Sequence, residues 1–358
     1  MEDKVLPTVG RADLMELDYA GVTALVGACG GSLADGRAVW QGLYRDAADS
    51  LEVLPALPPS VRERLVAAAA LPTPQCIGRL ESTDGQARKD LLRLADGALI
   101  EVVLLRYRQR SSGCISTQVG CGCGCRFCAT GQMGFVRQLS AGEIVAQVMH
   151  LRRTLRAEGR DLDNFVLMGM GEPLLNYETT LAAVRRLVDQ RGWSFPQRRI
   201  TLSTVGIPAG IERLAGDGLA LKLAVSLHGA TDPIRQELVP IARRYLLDEL
   251  FAALRTYTAR TRQRVMLEWL LVDGLTDTPA QAEALVGRLA GLPAHVNLIR
   301  LNPTPGFEGR PASPEAVEAF TAALERAGVP HTMRQRRGAA IAAGCGQLAA
   351  PARSAGLP

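Results

Sequence analysis

Apolar positions along the chain change their period twice. Up to about residue 70 they recur at helical spacing: Leu14, Leu17, Val22, Leu25 and Val26, then Val39, Leu43 and Leu51. The stretch LPTPQC ends that pattern. Three short apolar runs follow, at 76–80, 91–94 and 99–105, separated by Asp84-Gly85 and Asp96-Gly97. Asp-Gly suits the positive φ of a tight hairpin turn, so these runs predict a small antiparallel meander. Helices and meander together delimit an N-terminal accessory domain over residues 1–106.

From residue 107 the texture differs. After a Gly/Cys-rich loop, Ser140-Ala-Gly-Glu143 has the form of a capping box and predicts a helix to about residue 155. Apolar runs then alternate with amphipathic ones. Strands are predicted at 164–169, 199–203, 219–227, 265–272, 295–301 and 331–334, with helices near 178–190, 207–215, 246–260, 278–290 and 314–327. Repeated βα units imply a parallel sheet with helical crossovers. About six of them suit an open, partial (β/α)6 barrel over residues 107–348. The stretch 349–358, small and Pro-containing, is expected to be a loose tail.

Composition narrows the class. With 358 residues, 47% hydrophobic and 22% charged, the chain can bury a sizeable core, which excludes disorder as its main state. No apolar run reaches the length of a membrane span, and MEDKVLPTVG has early acids and no apolar stretch. The expected location is the cytoplasm, where eight cysteines serve as ligands or catalysts rather than as a disulfide framework. A net charge of +5 permits a polyanionic partner without demanding one, and 4% aromatics argues against recognition mainly by stacking.

Five of the eight cysteines lie between 114 and 128. Cys121-x-x-x-Cys125-x-x-Cys128 puts three thiols on one loop, and Gly120, Gly122 and Gly124 let its backbone wrap a bulky inorganic core. Thiolates are the ligands of iron–sulfur clusters, and three of them on a four-iron cluster leave one iron open to chelate a small molecule. A zinc site would want a second Cys pair or a nearby His, and the closest, His150, sits on the following helix. An electron-carrying ferredoxin would need a fourth cysteine; Cys123 supplies one by count, but its one-residue spacing to either side makes simultaneous ligation awkward.

The stretches CISTQVGCGCGCRFCATGQMGF, FVLMGMGEPLLNY, RRITLSTVGI, LAVSLHGATDPIR, VNLIRLNPTPG and GCGQL, in this order from Cys114 to Leu348, resemble the radical S-adenosylmethionine superfamily and, within it, the RlmN/Cfr family of RNA adenosine methylases. The resemblance implies a [4Fe-4S] cluster on Cys121, Cys125 and Cys128, with S-adenosylmethionine contacted by Gly171, Glu172, Ser203, Ser226, Leu227, His228 and Asn302. A carboxylate suits the ammonium of that molecule, and polar residues at the carboxyl ends of parallel strands point into the usual ligand crevice. From the residues alone, Gly171-Glu172 would read as a βα turn and Asn302 as a turn residue before Pro303.

Three further residues carry the implied chemistry. Cys345, between Gly344 and Gly346, is expected to be a flexible, exposed thiol; by resemblance it is methylated by one S-adenosylmethionine. A radical made from a second one takes a hydrogen from that methyl, and the methylene radical adds to the adenine carbon, which is not nucleophilic enough for direct transfer. Cys114 resembles the thiol that resolves the protein–RNA adduct through a transient disulfide with Cys345. Glu101, flanked by Ile100 and Val102, matches the family's base; by alternation alone it is an outward strand residue.

The implied partners are an RNA substrate (ribosomal 23S RNA, transfer RNA or both) and a flavodoxin-type electron donor, with the chain acting as a monomer. Of the loop arginines, the cluster from Arg334 to Arg337 is the expected phosphate contact. GEPLLNY and Gly134-Phe135 favour the C2-methylating branch, while VNLIRLNPT is shared with the C8-methylating one. The segment 338–344 departs from the family by lacking an acid, and Cys123 is additional.

Overall fold

The computed structural model of the chain describes residues 10–54 and 57–350. The N-terminal helices form where expected. Helix α1 (Tyr19–Ala28) starts at Asp18, whose carboxylate accepts from Gly21 N. Helix α2 (Leu33–Tyr44) opens on a reciprocal Ser32/Asp35 box, and α3 (Pro59–Ala68) has Pro59 at its first position. They bury Val22, Val26, Val39, Trp40, Leu43, Val61 and Leu65 against one another. Two strands of two residues, β1 (Ala12–Asp13) and β2 (Ala69–Ala70), pair in parallel at their base.

The meander comprises β3 (Gln75–Glu81), β4 (Ala87–Arg93) and β5 (Leu99–Arg106), turning at Gly85 and Gly97 with φ of 66° and 85°. Strand β4 starts four residues before the run predicted at 91–94. Its first half carries Arg88, Lys89 and Asp90, a stretch that looks like surface in sequence, yet all three are buried. Asp90 accepts from Arg88 on one face of the sheet, and Lys89 pairs with Glu101 of β5. Buried charges tolerate that position because each is paired.

Strand β6 (Ser111–Cys114) joins the two parts of the chain. It is antiparallel to β5 and parallel to β9 (Asn164–Leu167), so one sheet runs without a break across the boundary expected at residues 106 and 107. The hairpin of β7 (Gln118–Gly120) and β8 (Phe135–Gln138) brackets the cysteine loop and the short helix α4 (Ala129–Met133). Helix α5 (Ala141–Ala157) starts on the predicted Ser140/Glu143 box. Thereafter strands and helices alternate: α6 (Tyr177–Val188), β10 (Ile200–Thr204), α7 (Pro208–Leu214), β11 (Lys222–Ser226), α8 (Asp232–Leu238), α9 (Leu247–Thr261), β12 (Val265–Leu271), α10 (Pro279–Leu289), β13 (Ala294–Arg300), α11 (Pro314–Arg326) and β14 (His331–Met333).

Among the described residues the main sheet has ten strands, in the order β14-β13-β12-β11-β10-β9-β6-β5-β4-β3. Strands β9 to β14 are the six predicted ones, and β6 adds a seventh to the parallel part. The sheet is open, its ends being β14 and β3. The core lies between its parallel strands and their helices, where Leu202, Leu223, Val225, Leu267, Trp269, Val296 and Leu298 are fully buried.

The tail expected to be loose from residue 349 is held at its start. Ala350 is fully buried, and Ala349 N donates to Glu101 Oε2 at 2.9 Å. Residues 351–358 lie outside the described residues. No helix among the described residues is long and apolar enough to cross a membrane.

Candidate active site

The cysteine loop is shaped by backbone approach that only glycine permits. Gly120 has φ of 72°, and a Cβ there would sit 2.0 Å from Gly134 O, because Cys121 N donates to that carbonyl. A Cβ on Gly131 would lie 2.9 Å from both Cys125 N and Cys125 O. The loop packs on Leu238, Val239 and Ala242 of the segment after β11.

The thiols of Cys121, Cys125 and Cys128 converge. Burial pushes the Cys125 thiol well up, and the neighbouring Cys128 and Cys121 sulfurs push it further. Cys128 is likewise raised by burial and by Cys121. Cys121 is lowered, chiefly because it accepts a hydrogen bond from the Cys123 thiol. Three sulfurs whose negative forms repel one another on one glycine-rich loop are a fitting donor set for a polynuclear iron centre. Cys123 is buried and serves Cys121 as a hydrogen-bond donor.

A cavity, partly open to solvent, spreads from these sulfurs over the carboxyl ends of the parallel strands. Gly171, Glu172, Ser203, Ser226 and His228 line it, as does Cys345. Gly171 has φ of 103° and touches Gln118 so closely that a Cβ would lie 2.6 Å from the Gln118 side chain. Glu172 is buried, accepting from Leu174 N at 3.0 Å and Val205 N at 2.7 Å. Burial pushes its carboxyl up to about 7, the two amides pulling the other way. His228, with φ of 53°, accepts from Leu270 N through Nδ1 and meets the Phe127 ring edge-on at 4.7 Å. Burial and then Arg235 push its imidazole down to about 3, so it stands neutral in the wall.

Two of the predicted contacts, Leu227 and Asn302, are not part of the cavity lining. The Leu227 side chain is buried in the main core, outside the cavity lining. Asn302 is also outside that lining: its Nδ2 donates to Cys345 O at 3.2 Å, so it holds the thiol's own loop.

Cys345 opens to the cavity, but its loop is pinned rather than free. Gly346 O accepts from Ala129 N at 2.7 Å, Leu348 O from Thr130 Oγ1 at 2.6 Å, and Pro303 O from Gln347 Nε2 at 3.3 Å. The flanking glycines serve close packing instead of mobility: a Cβ on Gly344 would lie 2.7 Å from Asn302 Nδ2. Loss of bulk water raises the Cys345 thiol, and Arg334, 4.0 Å away, opposes that rise.

Cys114 ends β6 near enough to Cys345 that the two are electrostatically coupled; burial, then Cys345, push its thiol up to about 12. Both are free thiols. Glu101, buried on β5, pairs with Lys89 Nζ at 2.9 Å and accepts from Ala349 N, four residues past Cys345. The arginines expected on phosphates are engaged within the protein. Arg334 reaches Glu268 at 3.5 Å, Arg336 donates to Asn302, and Arg337 stacks on Tyr107 and donates to Gln86.

Residues that the sequence did not single out complete the site. Glu268 on β12 lines the cavity, and Asn297 Nδ2 donates to its Oε1 at 2.9 Å. Burial raises its carboxyl while Arg334 opposes. A lone acid inside the apolar run VMLEWLL was its signal. Arg235 on α8 is fully buried, and its charge acts on Cys125. Away from the cavity, the ligand atoms of Cys76, Asp90 and His150 lie within 4.8 Å of one another. Asp90, however, already accepts from Arg79, Arg88 and His150, so this trio belongs to an ion-pair network that docks the meander on α5.

A family model described as the radical SAM superfamily matches residues 115–284. The dual-specificity RNA methyltransferase RlmN 1 of Myxococcus xanthus (strain DK1622) is 48% identical over 345 residues, covering 96% of each chain. The ribosomal RNA large subunit methyltransferase N of Nitrosopumilus maritimus (strain SCM1) is 41% identical, covering 86% of this chain and 89% of its own. The crystal structure of a radical SAM methyltransferase from Sphaerobacter thermophilus superposes with a TM-score of 0.91 at 43% identity, covering 94% of this chain and 99% of that one. A [4Fe-4S] cluster and S-adenosylmethionine are the cofactors of this superfamily, and the sulfur trio with its adjoining cavity fits them. The chain belongs to the RlmN family of radical SAM RNA methyltransferases.

Proposed function

We propose that this protein methylates carbon C2 of an adenine in ribosomal RNA, transfer RNA or both, using Cys345 as the carrier of the methyl group. The observation that carries the reading is that the Cys345 thiol lines the same cavity as Cys121, Cys125, Cys128 and Glu172. A sulfur in that place can receive a methyl from a molecule anchored there and then present the carbon to RNA at the cavity's open side. Two relatives, a dual-specificity RNA methyltransferase and a ribosomal RNA methyltransferase, support an RNA target.

The residues divide the work. Cys121, Cys125 and Cys128 would hold the cluster, which when bound supplies the electron that splits S-adenosylmethionine into methionine and a 5′-deoxyadenosyl radical. Glu172, between two backbone amides, would receive the ammonium of S-adenosylmethionine, with Ser203, Ser226 and neutral His228 along the wall. The Cys345 thiol loses its proton and takes the methyl of one S-adenosylmethionine, leaving S-adenosylhomocysteine; the 5′-deoxyadenosyl radical from a second takes a hydrogen from that methyl, the methylene radical adds to the adenine carbon, and the adduct passes its odd electron to the electron carrier. Glu101 takes the proton displaced from the adenine carbon. The Cys114 thiolate then attacks the Cys345 sulfur; the new S–S bond replaces the S–C bond, the departing methylene carbon takes a proton to become the methyl group, and the methylated base leaves. The chain works as a monomer, supplied with electrons by a flavodoxin-type donor.

Two mass measurements test this. Purified protein should carry one methyl group on Cys345, and RNA treated with it should yield 2-methyladenosine. An 8-methyladenosine product would move the target to the other carbon. A Cys345→Ala variant that still methylates RNA would overturn the carrier role.

A further inference from the structure

Lys89 is the residue this structure uses and the chemistry above does not. It is only 8% exposed, in the middle of a strand, and a buried ammonium needs a reason. In the β4–β5 ladder Lys89 faces Val103 and Leu91 faces Glu101, so Lys89 and Glu101 are diagonal neighbours on one face. That face meets the segment carrying Cys345: a Cβ on Gly338 would lie 3.2 Å from Ala87 Cβ. The opposite face, with Asp90, meets His150 of α5.

From this position Lys89 Nζ makes two contacts, one to Glu101 Oε1 at 2.9 Å and one to Ala342 O at 3.1 Å. Glu101 Oε2 in turn accepts from Ala349 N at 2.9 Å. The ion pair therefore grips the reactive-cysteine loop on both sides of Cys345, the lysine three residues before it and the glutamate four residues after. Glu101 is 7% exposed beneath this loop, so a base carried on Cys345 reaches the carboxylate only if the loop shifts.

We propose that Lys89 is a positioning residue, the fixed half of a latch that fastens residues 342–349 over Glu101 between turnovers and lets go when an RNA base enters. Loop position and access to the carboxylate become one event. The latch rests on the reading of Glu101 as the proton acceptor, but it is tested without RNA.

The experiment is hydrogen–deuterium exchange on the full-length, cluster-loaded protein, comparing wild type with K89M and K89R. K89M should speed exchange across 342–349 by roughly tenfold, as expected when charged hydrogen bonds are lost, while K89R restores the slow rate and strands β3 to β5 exchange as before. Unchanged exchange at 342–349 in K89M would overturn the latch. So would an increase spread evenly over the meander, which marks a merely structural lysine. Should K89M fail to fold, E101Q gives the second reading: the Ala349 amide should exchange faster, and an unchanged rate overturns the proposal. RNA methylation retained by E101Q would instead overturn the base assignment, leaving the exchange result to stand by itself.

Discussion

The guanidinium of Arg334 lies 4.0 Å from Cys345 Sγ. The same nitrogen, Nη1, lies 3.5 Å from the buried Glu268, so a cation is held between that carboxylate and the thiol in the cavity wall. Desolvation raises the Cys345 thiol, and Arg334 acts in the opposite sense. Removing the guanidinium should therefore raise the thiol further and reduce its thiolate fraction at any pH below its pKa. R334M should slow alkylation of Cys345 by iodoacetamide at pH 8, about tenfold for each unit by which the pKa climbs. Because R334M also strips Glu268 of its partner, the R334M/E268Q double variant carries the comparison. An alkylation rate equal to that of wild type in the double variant would show that Arg334 does not activate the thiol.

Glu172 offers a pH-dependent test of the proposed S-adenosylmethionine site. Its carboxyl is raised from 4.5 to about 7 by burial, so near neutral pH a substantial fraction is protonated. An incoming ammonium favours the charged form, so binding at pH 6.5 should release protons and affinity should rise as pH climbs toward and past 7. Calorimetry of S-adenosylmethionine binding in two buffers of different ionisation enthalpy reads the released protons directly. E172Q should abolish the proton release and weaken binding by about 1.5–3 kcal/mol, roughly 10- to 100-fold.

The parallel half of the sheet was legible because its strands are continuous apolar runs and its helices amphipathic, and each predicted strand formed within a few residues of its expected ends. Strand β6 escaped because Ser111-Ser112-Gly113 has no apolar run; its burial comes from contacts such as Gly113 against Leu151, which are tertiary. The charged half of β4 escaped for the converse reason, since beside the local Arg88–Asp90 pair its charges are met by Glu101 of β5 and His150 of α5. At the site, the cysteine trio announced itself by spacing. Glu268 and Arg334 acquire their meaning only where β12 and the end of β14 bring them to 3.5 Å. The glycines around Cys345 suggested freedom because the sequence does not show Asn302 packed against Gly344.

The cysteine loop predicts a sharp division among its residues. Gly120→Ala adds a Cβ 2.0 Å from a backbone oxygen, at a φ of 72° that alanine disfavours. The hairpin that frames the loop has no flexible neighbour to give way, so iron and sulfide content after anaerobic reconstitution should fall to a small fraction of wild type. Cys121→Ala, Cys125→Ala and Cys128→Ala should do the same. Cys123→Ser keeps a hydrogen-bond donor toward Cys121 and should retain a full complement of iron. Loss of iron in C123S, comparable to that in C125A, would make Cys123 a ligand.

The last prediction concerns the rate of adduct resolution. In the proposed resolution step Cys114 would attack as a thiolate, yet burial, with Cys345 close by, pushes its pKa up to about 12. The sign follows directly. Below that pH the thiol form dominates, so the thiolate fraction, and with it the resolution rate, should rise about tenfold per pH unit between pH 7 and 9. The measurement is a single-turnover assay from RNA-bound, methyl-loaded enzyme, following the decay of covalent protein–RNA adduct on denaturing gels. Cys114→Ala should leave the adduct standing at every pH. Cys114→Ser should do likewise, since an alkoxide in that dry position is still harder to form. A decay that is flat from pH 7 to 9 in wild type, or that persists in both variants, would mean that another group expels the product.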